Sequence, residues 1–327
     1  MSKLRLVALA AGCALLLPAA LFLPTKTARA EDTVTVGKAD AASTSFLPVH
    51  VGDKVGIFKK HGLTVKISDF TGGSKLSQAI TAGSIDIGLG AGTEMALVAK
   101  GAPMKAVCDG LSPIPFIGIA VPYDSPVKTV DGLKGKKIGI SSSGSLTDWL
   151  TKQFNHHQGW SGADAAQAVA IGNGAAAVLA AFRTKAIDAD ISVTSNIFNW
   201  EEKKEGRLLV SSSAFVGNIA ASTIYASQHF IDSNPDALKR FLVAWLETID
   251  YLAAHKAETV KIESEVTHYS EAVMAKEYDL TATKFSRDCK FDAEALANLK
   301  RAFIDQKLVD SPPDMSKLYT EAFLPKK

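Results

Sequence analysis

Cysteine is scarce in this 327-residue chain, with three in all and no C-x-x-C pair among them. That excludes a disulfide-dense scaffold and offers no structural zinc knuckle. Charge of one sign is lacking too. Against 36 Lys and Arg stand 34 Asp and Glu, a net +2 that leaves no electrostatic footprint for nucleic acid, so no nucleic-acid partner is expected. No G-x-S-x-G or H-E-x-x-H occurs, which removes the nucleophile elbow and the zinc-protease helix. Past residue 23 no apolar run approaches the roughly 20 residues of a membrane span. What remains is 47% hydrophobic, 8% aromatic and 21% charged, a globular composition with length for two domains of about 100–200 residues each.

The first thirty residues stand apart. Lys3 and Arg5 precede the apolar stretch Leu6–Leu23, and Thr27-Ala28-Arg29-Ala30 gives a small-x-small ending. This is the order of a secretory signal peptide, expected to span 1–30 and to be cleaved after Ala30. Cleavage removes four basic residues and no acidic one, turning the charge from +2 to −2. Cys108 and Cys289 remain. In an oxidising compartment they can pair, and they can equally stand as two buried thiols.

From Val34 onward short β runs alternate with helical ones, the pattern of an α/β fold with mainly parallel sheets. Strands are expected at Val34–Gly37, Leu63–Phe70, Ile85–Leu89, Met104–Leu111 and Phe116–Val121, with helices around Pro48–His61, Ser74–Ala82 (from a Ser74 N-cap) and Thr93–Lys100. The series then restarts at Ile138. A shift of 102 residues carries Ile85-Asp86 onto Ile187-Asp188 and Gly72 onto Gly174, which predicts two similarly built lobes. From Asn234 the chain reads as helix after helix and is expected to pack back on the first lobe. The lobes are therefore expected at 31–120 with 222–327, and at 121–221.

Enzyme signatures fail one by one. Ile85–Glu94 looks like a dinucleotide loop, but Thr93 stands where the third glycine belongs. Ser125-Pro-Val-Lys128 spells S-x-x-K inside a proline turn, without its companion motifs. His156 and His157 are adjacent, so a helix points them apart. What recurs is a turn of glycine and hydroxyl residues between a strand and a helix: Ser43-Thr44-Ser45, Gly72-Gly73-Ser74, Gly90-Ala91-Gly92-Thr93, Ser143-Gly144-Ser145 and Gly172-Asn173-Gly174. Each alone reads as an ordinary cap. Together, at the strand ends of two facing lobes, they describe a hydrogen-bonding cleft. Helix N-termini there suit an anion.

The run Pro48–Val65, the segments Gly72-Gly73-Ser74 and Ala79–Gly88, Lys100-Gly-Ala-Pro103 and Asp131–Gly139 together resemble the ABC-transporter periplasmic solute-binding proteins for sulfonates, taurine, nitrate and thiamine precursors. The resemblance implies a two-lobed periplasmic binding protein fold (type II) with a two-segment hinge. It implies hinge closure over a small solute, and delivery to the transmembrane subunits of an ABC permease, by a periplasmic monomer without cofactor or metal. Carried over by position, the ligand contacts are Ser43, Ser45, Phe46, Gly72, Gly73, Ser74, Gly92 and Thr93 in the first lobe. Ser143, Gly144, Ser145, Thr147, Asn173 and Thr194 are those of the second. Phe116 and Phe198 are added as candidate apolar walls. A sulfonate or carboxylate head group is expected on the turn Ser143–Thr147. Pyrimidine synthases of this fold carry a cysteine-rich motif that this chain lacks, so no enzyme activity is expected. A secreted enzyme, with Glu94 or Asp148 in an acid/base pair, and a sensory module are the alternatives.

Overall fold

A computed structural model describes residues 31–112, 114–305 and 307–326. The expected signal peptide, residues 1–30, lies outside the described residues. The first half opens with β1 (Asp32–Lys38), whose Val34 and Val36 are fully buried. The expected helix after it is two short ones, α1 (Pro48–Lys54) and α2 (Ile57–Lys60), broken at Gly56. Then come β2 (Leu63–Asp69), α3 (Gly73–Thr81), β3 (Ile87–Gly90), α4 (Met95–Ala99) and β4 (Met104–Leu111). Gly72, not Ser74, occupies the N-cap of α3, because only the turn's glycine can take the backbone conformation needed there.

The chain crosses to a second sheet at β5 (Ile117–Pro122) and builds it from β6 (Lys137–Ile140), α5 (Leu146–Gln158), β7 (Gln167–Ala170), α6 (Ala175–Arg183), β8 (Ala189–Val193), α7 (Thr194–Glu202) and β9 (Gly206–Ser211). It returns through β10 (Ser222–Ser227) and ends in helices: α8 (Gln228–Ser233), α9 (Pro235–Ala254), α10 (Lys256–Thr267), α11 (Glu271–Thr281) and α12 (Ala293–Asp305). Helix α9 starts on Pro235, which fits a first helical turn. It lays Phe241 on Phe58 with ring centroids 5.2 Å apart and buries Trp245.

The sheets share one topology, β2-β1-β3-β10-β4 and β7-β6-β8-β5-β9. In each, the fourth strand arrives from the other half and runs antiparallel. The sequence boundary at residue 120 therefore falls inside β5, which lies wholly in the second sheet. Its continuous apolar run had read equally well as a last strand of the first. Cys108 on β4 and Cys289 after α11 form a disulfide, settling the pairing that the sequence left open. Among the described residues no helix is long and apolar enough to cross a membrane.

Candidate functional site

The C-terminal ends of the parallel strands in both sheets face one cavity of about 60 Å³. The loop after β1 brings Ala39, Asp40, Ser43 and Phe46. The turn before α3 brings Gly72 and Gly73, and the end of β3 brings Gly90, Ala91 and Glu94. From the other side come Phe116, Ile117, Ser141, Ser145, Leu146, Thr147, Asn173 and Ile191–Val193, with Ala221 from the return crossing.

Asp40 shapes its own loop. One carboxylate oxygen accepts the backbone N–H of Ala42 (2.8 Å) and of Ser43 (3.0 Å), and the other accepts Asn173 Nδ2 (2.7 Å) from the opposite half. Burial raises its pKa; the two backbone N–H groups, Lys38 and Asn173 pull the other way. Lys38 lies beneath, fully buried, paired with Asp69 at 3.1 Å and donating to Ala41 O at 3.1 Å. Burial lowers its pKa, against the pull of Asp69 and Asp40.

Glu94 is 3% exposed. Its Oε2 accepts the N–H of Ala91 at 2.8 Å and the hydroxyl of Thr93 at 3.3 Å. Burial pushes its pKa up to about 7, against these hydrogen bonds. Its Oε1 sits over Gly73, where a Cβ would lie 1.5 Å away. Gly72 answers to a different constraint. Its φ of 109° belongs to glycine, and a Cβ there would meet Ser142 Oγ at 2.7 Å and Ser141 Oγ at 3.0 Å from the other half.

At the head of α5 the hydroxyls of Ser141, Ser145 and Thr147 form a triangle with sides of 2.9–3.0 Å. Three backbone donors of this turn bond within it. Ser141 N–H goes to Thr147 Oγ1 (2.9 Å), Gly144 N–H to Asp148 Oδ2 (2.8 Å), and Asp148 N–H to Ser145 Oγ (3.4 Å). The cavity wall holds two carboxyls, and among the described residues no Lys, Arg or His lines it.

Of the residues carried over from the sequence, Ser43, Phe46, Gly72, Gly73, Phe116, Ser145, Thr147 and Asn173 line the cavity. The others do not. Ser45 is buried behind Ser43, hydroxyl to hydroxyl at 2.8 Å. Ser74 and Ser143 meet at the rim, where Ser74 Oγ donates to Ser143 O at 3.0 Å, with Gly144 beside them. Gly92 packs against Leu299 and Ala220, and the hydroxyl of Thr93 turns to Glu94. Thr194 is buried at the head of α7. Phe198 packs instead near Val260 and Val273, with Lys276 over its ring. Asp40 and Ser141 were missed, and Glu94 had been weighed only as half of an acid/base pair. The available signal was an acid placed just after a strand's C-terminal end, among small residues.

A family model described as NMT1/THI5 like matches residues 43–259. A Candida albicans (strain WO-1) protein named 4-amino-5-hydroxymethyl-2-methylpyrimidine phosphate synthase is 28% identical over 276 residues, 80% of this chain and 77% of its own. A Brucella abortus (strain 2308) protein named as a binding protein is 28% identical over 259 residues, 78% of each chain. The solved alkanesulfonate-binding protein SsuA from Xanthomonas axonopodis pv. citri, bound to MOPS, superposes with a TM-score of 0.74 at 19% identity, covering 90% of this chain and 99% of its own. The fold is thus the expected α/β periplasmic binding protein fold. The expectation of no enzyme activity is overturned. A relative aligned over four fifths of the chain is named as a synthase.

Proposed function

The chain belongs to the NMT1/THI5-like family, and from that premise we propose that it captures a small solute between its two halves and hands it to the permease of an ABC importer. What supports this most is the set of hydrogen bonds that close the cavity directly from half to half. Asn173 Nδ2 donates to Asp40 and to Ala39 O (2.9 Å), Ser195 Oγ to Ala42 O (2.7 Å), and Ser74 Oγ to Ser143 O (3.0 Å). Each is worth about 0.5–1.5 kcal/mol net, enough to bias closure and small enough to release. The crossings β4 to β5 and β9 to β10 are the two segments about which one half would turn on the other, the hinge motion that encloses ligands. The cavity-lining residues are the proposed ligand contacts. Export to the periplasm accords with the signal-peptide order of residues 1–30 and with the disulfide.

The test is a thermal-shift and small-angle scattering screen against sulfonates, carboxylates, nitrate, amines and amidines. One class is expected to raise Tm by mass action and to narrow the distribution of shapes. Asn173→Ala should weaken that ligand about tenfold while leaving the unliganded Tm within a few degrees. Silence from every class contradicts the reading. A catalytic reading draws on the synthase relatives and on Glu94, whose carboxyl near 7 stands in the range of a general base. Its check is product formation from whichever ligand the screen finds.

A further inference from the structure

Resting on that reading of the cavity, we propose that its solute is a compact cation rich in N–H donors, of the amidinium or guanidinium class, held between the carboxylates of Asp40 and Glu94. The first reason is which hydrogen-bonding groups are left over. Both Nδ2 hydrogens of Asn173 go to Ala39 O and Asp40, which leaves its Oδ1 as an acceptor. The hydroxyl hydrogens of Ser141, Ser145 and Thr147 are satisfied within their triangle. The Ala91 N–H and the Thr93 hydroxyl both fall on Glu94 Oε2, and Oε1 lies over Gly73 at the cavity wall. What these side chains still offer is acceptors.

The second reason is the field. Asp190, 2% exposed, stands under the second sheet's contribution near Gly139 and feels the charge of Asp40. The cation acting on Asp40 is Lys38, already held by Asp69 and Ala41 O. An anion would be desolvated next to like charge, whereas a cation completes the set. The rings of Phe46 and Phe116 in the same wall suit a planar cation. The titratable neighbours are Tyr225 for Glu94, and Lys38, Asp190 and Tyr269 for Asp40. Through Glu94, binding of a cation should strengthen as the carboxyl ionises.

Calorimetry with head-group pairs, benzamidinium against benzenesulfonate and methylguanidinium against methanesulfonate, at pH 6 and 8 tests this. The cations are expected to bind, about tenfold tighter at pH 8 for a carboxyl near 7. Glu94→Gln, which keeps an acceptor for Ala91 N–H, should weaken them at least tenfold, remove the pH dependence and leave Tm near that of the parent. Binding by the sulfonates, or cation binding indifferent to pH and to Glu94→Gln, overturns the assignment. If neither set binds, a deproteinated metabolite extract split by ion exchange decides. A Tm rise from the cation-exchange fraction alone supports the class, a rise from the anion-exchange or unretained fraction overturns it, and no rise from any fraction overturns solute capture itself.

Discussion

The two halves follow one plan at a spacing of 102 residues and bring opposite chemistry to the cavity between them. Helices α3 and α6 are both nine residues long and start at Gly73 and Ala175, 102 apart. Asp86 accepts the N–H of Thr35 at 2.8 Å, and Asp188 accepts that of Lys137 at 2.9 Å, the same bond at the same spacing. At the strand ends the match stops. Glu94 of the first half corresponds by that spacing to Asn196, and Asp40 to Ser142. Asn196 does not face the cavity; it donates to Ser192 Oγ at 3.2 Å and accepts the hydroxyl of Tyr269 at 2.5 Å. The first half supplies carboxyls and the second supplies hydroxyls and an amide. A duplicated scaffold has thus been made asymmetric by a few side chains at loop positions, without disturbing the strands that carry them.

The largest expected break in this comparison is at the disulfide, which belongs to the first half alone. Cys289→Ser should cost about 3 kcal/mol in urea unfolding, with amide exchange speeding up in the first sheet and little change in the second. Equal loosening of both would make the halves one cooperative unit. Next is the glycine pair. Gly73→Ala places a methyl on Glu94 Oε1 and should cost about 2 kcal/mol by overpacking while weakening ligand. The reverse change at its counterpart, Ala175→Gly, should cost about 0.5–1 kcal/mol and leave ligand affinity alone.

The last comparison is with pH. Burial lifts Glu94, Asp109 and Glu277 to about 7, and Glu263 to about 8 with Glu277 adding repulsion. Glu94 and Asp109 lie in the first half and Glu263 and Glu277 on helices α10 and α11, while the second half contributes Asp190. The folded state therefore binds more protons than the unfolded chain between about pH 4.5 and 8. Stability is fully present below that window and falls as pH rises through it, by about 1.4 kcal/mol per pH unit for each such group. Urea midpoints at pH 5 and 8 measure the slope. A midpoint that rises with pH would reverse the assignment.

The scaffold was legible in the sequence where pattern is local. Strand and helix periods, glycine turns and the 102-residue echo place most elements within a few residues, including the nine-residue α3 and α6. Elements without strong periodicity were not: α7 begins with the polar Thr194-Ser195-Asn196, and α8 is six residues long. The first crossing was misplaced because β5 is as apolar as β4 and carries no mark of which sheet it joins. At the site, glycines and hydroxyls announced the cleft, but its charge was not legible. How many N–H groups of the turn before α5 stay free depends on Asp148 and Thr147 folding back upon it. Whether Glu94 faces water or a cavity depends on Gly73, twenty-one residues earlier.

Proton exchange on binding is the most direct measurement of the acidic cavity between the halves. Methylguanidinium titrated at pH 7 in buffers of differing ionisation enthalpy should release about half a proton, as Glu94, near 7 when free, ionises on the cation. Uptake of protons, or release unchanged in Glu94→Gln, would contradict a cation held on that carboxylate.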